Sequence, residues 1–281
     1  MSAVLGLGTY RVRAVGEAAR IALAAGATWI DTAPNYAHGH AHRDLAAAVA
    51  EHPAARVATK TGFDPDGQHS LAPDFVRFQT EQSLDVLGRA DLVFVHNPER
   101  TGHDRQHLHR ILAAAFAVLE EFAHAGRIGG YGVATWDGFT SQAFTVAELV
   151  DLAHDAAGSQ DHHLSGVQMP VSLVMAEPIT QAIDGTGPLV HARDAGITTF
   201  ASAPLHGGEL PGLMTPELVN LIQPGSNPHT AAFHLVGACP ALDVVLTSTS
   251  TLGHWDDAAA ALAVPISEER LRKVLDVLST G

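Results

Sequence analysis

The stretch Thr28-Trp29-Ile30-Asp31-Thr32-Ala33-Pro34-Asn35-Tyr36 decides how the rest of the chain is read. Thr28 to Asp31 is a short apolar run that ends on a carboxylate, and Pro34 soon after rules out its continuing as a helix. It reads as a buried strand whose carboxyl end carries Asp31 and, just beyond, Tyr36. Seven further segments have the same character: Val4 to Gly8, Arg56 to Lys60, Asp91 to His96, Gly130 to Ala134, Gly166 to Met169, Ile197 to Ala201 and Asp243 to Thr247. Between them, Gly16 to Ala25, His42 to Glu51, Asp74 to Leu87, His109 to Ala125 and Thr145 to His154 place apolar residues at helical spacing. Gly26, Gly88, Gly126 and Gly196 follow apolar-periodic stretches, where a left-handed helix cap is expected.

Strands alternating with amphipathic helices predict an α/β fold with a parallel sheet. Eight such units in 281 residues fit a single (β/α)8 TIM barrel over residues 1–281, a fold whose active sites lie at the strand carboxyl ends. After the eighth strand, Leu252 to Leu262 and Ser267 to Leu278 read as helices, the second with Ser267 as N-cap. The competing architecture is a doubly wound sheet. It is weakened because Gly6-x-Gly8 runs into Thr9-Tyr10-Arg11, without the third glycine of a dinucleotide fingerprint.

Composition narrows the function classes. With 30 acidic against 16 basic residues, the formal charge of −14 disfavours nucleic acid and anionic membrane as partners. No apolar run approaches the roughly 20 residues of a membrane helix. The start, Met1-Ser2-Ala3-Val4, lacks a basic and apolar leader, and the single Cys239 excludes an intrachain disulfide. A soluble cytoplasmic protein is expected, of undetermined oligomeric state. Most of the 18 histidines fall on segments that read as loop or helix surface.

Asp31, Tyr36, Lys60 and His96 all fall at or just past strand ends. Tyr has a free pKa of about 10, so proton donation near neutrality calls for a cation that stabilises its phenolate. Lys60 could be that cation, Asp31 could hold the ammonium, and His96 could steer a carbonyl oxygen. The chemistry implied is carbonyl reduction or its reverse, on a small-molecule carbonyl substrate.

These residues, with Gly6-Leu7-Gly8-Thr9-Tyr10, Ala58-Thr59-Lys60, His96-Asn97-Pro98-Glu99, Gly130-Tyr131-Gly132-Val133 and Ala203-Pro204-Leu205, resemble the aldo-keto reductase family along essentially the whole chain. The resemblance implies an oxidoreductase that uses NADP or NAD, laid across the barrel mouth without a Rossmann domain. It implies Tyr36 as general acid, Lys60 and Asp31 as the pair that lowers its pKa, and His96 as the orienting residue. It implies cofactor contacts at Gly8, Thr9, Tyr10, Asp31, Thr135, Gln168, Ser202, Leu205, Ser248, Thr249, His254 and Asp257. Substrate contacts are implied at Tyr36, Phe63, His96 and Trp136, with no metal ligands.

The chain departs from the family pattern in places. Ala134-Thr135 stands where many relatives have Ser-Asn, and Ser202 takes the place of an aromatic that stacks on the nicotinamide, a ring that Trp136 or Tyr10 could supply. Ser248 and His254 occupy positions where NADPH-preferring relatives carry Lys and Arg, and an imidazole does not replace a bidentate guanidinium. NADH is therefore a credible cofactor. Several segments look like the bacterial sugar-dehydrogenase branch. Substrate choice is expected to lie in loops over Asn97 to His109 and His206 to Asn227.

Three other readings compete. The alternating His38, His40 and His42 could belong to a metal-dependent hydrolase, given further strand-end ligands. The altered nicotinamide contacts also allow a cofactor-binding protein without redox turnover, serving as a regulatory subunit, or an enzyme that runs a non-redox step in the same pocket.

Overall fold

The computed structural model describes residues 3–102 and 104–279. Met1 and Ser2, read above for a leader, and His103, within the loop expected after the fourth strand, lie outside the described residues. Eight strands form the sheet: β1 (Val4–Gly8), β2 (Trp29–Asp31), β3 (Arg56–Thr61), β4 (Leu92–His96), β5 (Tyr131–Ala134), β6 (Leu164–Pro170), β7 (Thr198–Ser202) and β8 (Val244–Thr247). They pair in parallel in chain order, and β1 closes on β8 through Val4↔Val244 to Leu7↔Thr247. The fold is the (β/α)8 barrel, and the doubly wound alternative falls with the closure.

The helices are α1 (Val15–Ala24), α2 (Ala41–Glu51), α3 (Pro73–Leu87), α4 (Arg105–His124), α5 (Val146–Ala157), α6 (Glu177–Ile183), α7 (Gly187–Asp194), α8 (Leu210–Leu213), α9 (Pro216–Ile222), α10 (Pro228–Gly237), α11 (Leu252–Ala263) and α12 (Glu268–Ser279). The expected caps are in place, with Gly26, Gly88, Gly126 and Gly196 at positive φ. Ser267 caps α12 through a bond from Arg270 N. Helix α4 begins four residues before the expected His109, because Asp104 accepts from His107 N and starts the helix there. The stretch from His206 to Asn227, expected as loop, instead carries a 3-10 turn, α8 and α9.

Side chains alternate between the barrel interior and the helical shell, so two apolar clusters form. The larger one lies between strands and helices. The smaller one fills the barrel with Trp29, Ala58, Leu92, Phe94, Ala134, Phe200, Val244 and Leu246. Its rings meet edge to face, Trp29 on Phe200 at 4.9 Å and Phe94 on Phe200 at 5.5 Å. Glycines make that packing possible: a Cβ on Gly166 would stand 2.6 Å from Leu92 and 3.0 Å from Phe94. One step further along the strands the interior turns polar, and there Asp31, Lys60, His96 and Gln168 replace the rings.

Candidate active site

Strand pairing brings the predicted residues together. Asp31 ends β2, Lys60 stands one residue before the end of β3, and His96 ends β4, with register Asp31↔Ala58 and Lys60↔Phe94. The Lys60 ammonium donates to both Asp31 carboxylate oxygens at 2.6 Å and to Thr32 O at 3.0 Å. Both side chains are almost closed to solvent, at 1% and 6% exposure. Gln168 Nε2 adds a bond to Asp31 Oδ1 at 2.9 Å. The ammonium therefore faces a fully engaged carboxylate.

Tyr36 sits beside this pair, with Lys60 Nζ 5.1 Å from its ring centroid. His96 meets the same ring edge-on at 6.0 Å, and Tyr10 tilts against it at 5.1 Å. The turn that carries Tyr36 is strained, for Ala37 and His38 both adopt left-handed backbone (φ 49° and 54°). Such residues gather at this mouth. Arg11, Ala37, His38, Asn97, Ala203 and His206 all have positive φ just past strand ends.

The electrostatics correct one expectation. Burial first, then the Asp31 carboxylate and Tyr10, push the Tyr36 phenol well above its ordinary 10.0. The Tyr36 hydroxyl accordingly keeps its proton at neutral pH. Burial lowers Lys60, opposed by Asp31. Burial, then Lys60 and His69, hold His96 well below the ordinary histidine value, so it works as a neutral imidazole.

The expected cofactor residues divide into two groups, with Ser248 in both. Leu205, Ser248, Thr249, His254 and Asp257 line one small cleft of about 60 Å³, together with Thr230, Phe233, Thr247, Ala258 and His229. His229, which the sequence reading missed, stacks on His254 at 5.7 Å and 12°. It lies on α10, a helix the periodicity did not reveal, so only the placement of that helix could have found it.

The second group serves the protein first. Thr9 is fully buried, and its hydroxyl donates to Asp31 O at 3.1 Å, so its side chain fixes β2 against β1 and does not face the mouth. Thr135 Oγ1 accepts from Gly138 N at 2.8 Å and is held within its own loop. The Ser248 hydroxyl donates to Gly8 O at 2.8 Å and ties the two strand ends together. Ser202 ends β7 above Phe200 with no ring of its own. Tyr10 and Trp136 do not pack into the core; they are 52% and 47% exposed at the rim. Trp136 faces His206 at 6.5 Å. Phe63, expected as a substrate contact, stands edge-on to the His96 ring at 5.0 Å.

Polar atoms at the mouth are also left open. Thr32 Oγ1, Asn35 Oδ1 and His206 Nδ1, on the segments after β2 and β7, are shielded from water without a partner. The histidine run does not converge. His42 is buried against Thr59 Oγ1 at 2.9 Å, His40 pairs with Arg43 at 2.7 Å, and His38 is exposed. Among the described residues no group of three or more His, Cys, Asp or Glu is placed to hold a metal ion.

The sequence profile described as the Aldo/keto reductase family matches residues 5–221. This chain belongs to that family. Membership makes it an oxidoreductase that depends on a nicotinamide dinucleotide, NAD or NADP. Solved structures share the fold. The glycerol dehydrogenase of Gluconobacter oxydans is 20% identical, with 98% of this chain and 91% of that one covered at a TM-score of 0.75. A thermostable aldo-keto reductase solved with the inhibitor epalrestat is also 20% identical, covering 98% and 94%, at 0.73. An aldo/keto reductase from Klebsiella pneumoniae, solved with NADP and acetate, is 20% identical over 98% and 91%, at 0.71. A comparison with curated proteins found no match. Among the described residues of this aldo-keto reductase, no helix is long and apolar enough to cross a membrane.

Proposed function

We propose that this chain interconverts the carbonyl of a small aldehyde, ketone or aldose with its alcohol or lactone, with Tyr36 as the proton donor. The bound reduced nicotinamide supplies the hydride. The protein's part is to hold a proton at Tyr36 Oη, keep water from the polar floor, and orient the carbonyl. The observation that carries the reading is the closed Asp31–Lys60 pair beside Tyr36, with neutral His96 edge-on to the same ring.

As hydride reaches carbon, negative charge grows on the carbonyl oxygen and a positioned O–H answers it. A donor whose resting proton is held tightly does not leak it before that charge appears. Lys60 rests over the ring, so its positive field acts on the phenolate as it forms. His96, as a neutral imidazole, can hydrogen-bond the same oxygen without competing as an acid.

The adenosine end is assigned to the Ser248 cleft. No Lys or Arg lines it; its titratable groups are His229, His254 and Asp257. Without a guanidinium or ammonium the cleft offers a 2′-phosphate no permanent positive charge, so NADH is the favoured cofactor. A reading without turnover draws on Gln168 and Thr135, whose side chains already bond within the protein and leave fewer groups for the nicotinamide.

The test is fluorescence titration with NADH and NADPH, then absorbance of the reduced nicotinamide with a panel of aldehydes, ketones and aldoses. Turnover abolished in Tyr36→Phe with dinucleotide affinity kept supports the proton-donor role. Retained turnover in that variant overturns it, and binding without turnover by the parent favours the regulatory reading.

A further inference from the structure

His69 stands on a short hairpin that follows β3, outside the set read from sequence. Its Nε2 lies 2.9 Å from the backbone oxygen of His96. A carbonyl only accepts, so Nε2 carries the proton and donates it. The same ring packs on Phe63 at 4.4 Å, and Phe63 meets the His96 ring edge-on at 5.0 Å. His69 thus grips His96 twice, at its backbone directly and at its ring through Phe63.

The hairpin that presents His69 is anchored in its own right. Phe63 and His69 form an antiparallel bridge, with Ser70 N bonded to Gly62 O at 2.8 Å and Asp64 N to Gln68 O at 3.0 Å. Buried Gln79 of α3 locks its base. Its Oε1 accepts from Gly62 N at 2.7 Å and from the Thr61 hydroxyl at 3.1 Å, and its Nε2 donates to Phe63 O at 2.6 Å. Gly62 is the hinge point at φ +133°, where a Cβ would stand 3.2 Å from His69 Nε2 and 3.3 Å from His96 O. A side chain there would wedge the two histidines apart.

We propose that His69 is the positioning residue for His96, fixing where its imidazole stands at the mouth. This rests on the function proposed above for His96. Burial lowers the basicity of His69, which keeps the ring neutral and its one N–H directed at the carbonyl. Freed from that hold, the end of β4 and the His96 ring can shift, and a displacement of about 1 Å near reacting atoms costs on the order of 100-fold in rate.

Two variants separate the contributions. His69→Phe keeps a ring against Phe63 and removes the donor, whereas His69→Gln keeps an N–H that can reach the carbonyl. Each is measured for kcat and KM, for dinucleotide affinity, for its urea midpoint, and for the His96 imidazole 15N and 1H resonances. His69→Phe is expected to lower kcat by about 10- to 100-fold with KM and dinucleotide affinity little changed, and to shift the His96 resonances. His69→Gln is expected to recover most of both. Parental kcat and parental His96 resonances in His69→Phe overturn the assignment. So do equal losses in both variants that track a lowered urea midpoint. Absence of turnover in the parent defeats the proposed function, and the His96 resonances still decide the role of His69.

Discussion

Removing the Lys60 ammonium tests the site at its most costly contact. The Lys60–Asp31 pair has two 2.6 Å contacts and almost no exposure, so replacing Lys60 by Met leaves a buried carboxylate with Gln168 Nε2 as its remaining side-chain donor. Breaking such a pair from one side costs about 3–5 kcal/mol, because the surviving charge is neither hydrated nor neutralised. Replacing both members with apolar residues of similar size removes that penalty. Lys60→Met combined with Asp31→Leu is therefore expected to be more stable than Lys60→Met alone by about 2 kcal/mol or more. Urea unfolding at pH 7, with slopes compared to confirm that midpoints report stability, measures both differences. A loss below about 1 kcal/mol in Lys60→Met, or a double variant whose cost equals the sum of the single ones, refutes the reasoning. Both proteins should be devoid of turnover whatever their stability.

Tyr36→Phe is expected to lower kcat by about 100- to 10,000-fold, the usual worth of a positioned acid, with dinucleotide affinity unchanged by titration. Stability should fall in acid. Burial, then Lys60, holds His42 down at about 4 from 6.5, and burial also lowers His69 and His96. The unfolded chain binds these protons first, so their stabilisation is complete above pH 6.5 and drains away as pH falls toward 4. At about 1.4 kcal/mol per unit, His42 alone accounts for about 3 kcal/mol of that loss, and urea midpoints across the range should flatten in His42→Gln. His254→Arg is expected to tighten NADPH by about 10-fold or more relative to NADH, through a charge-assisted bond to the 2′-phosphate read by fluorescence titration.

The barrel was legible because its strands are short apolar runs punctuated by glycine, and all eight were located to within about two residues. The five helices that went unread, α6 to α10, share a cause. Each carries proline in its first turn, at Pro178, Pro188, Pro211, Pro216 and Pro228, and four of them span eight residues or fewer except for α10. Proline in a helical pattern is read as a break, yet in the first turn, where an N–H has no intrahelical partner, its missing N–H costs nothing. Asp31, Lys60 and His96 were visible since each stands at or next to a strand end, where periodicity fixes the face, whereas Tyr36, in the turn after β2, was found through the family motif it closes. His69 was not, because its place depends on hairpin pairing. Pro65-Asp66-Gly67 is the turn signature that marks that hairpin. His229 depended in turn on how α10 docks against α11, and that packing is written in no local pattern.

The two ends of the barrel handle left-handed backbone differently. At the end away from the site, most such turns use glycine, at Gly26, Gly88, Gly126, Gly158 and Gly196, with Ala241 before β8 departing from that pattern. At the mouth, alanine, histidine, asparagine and arginine are held there beside Gly39, Gly62, Gly207 and Gly208, the non-glycine residues at about 1–3 kcal/mol each. Selection for heat resistance would find its easiest gains by relaxing those mouth residues. The same relaxation would loosen the turns after Tyr36 and His96, so thermal hardiness and catalytic competence in this chain draw on one set of positions.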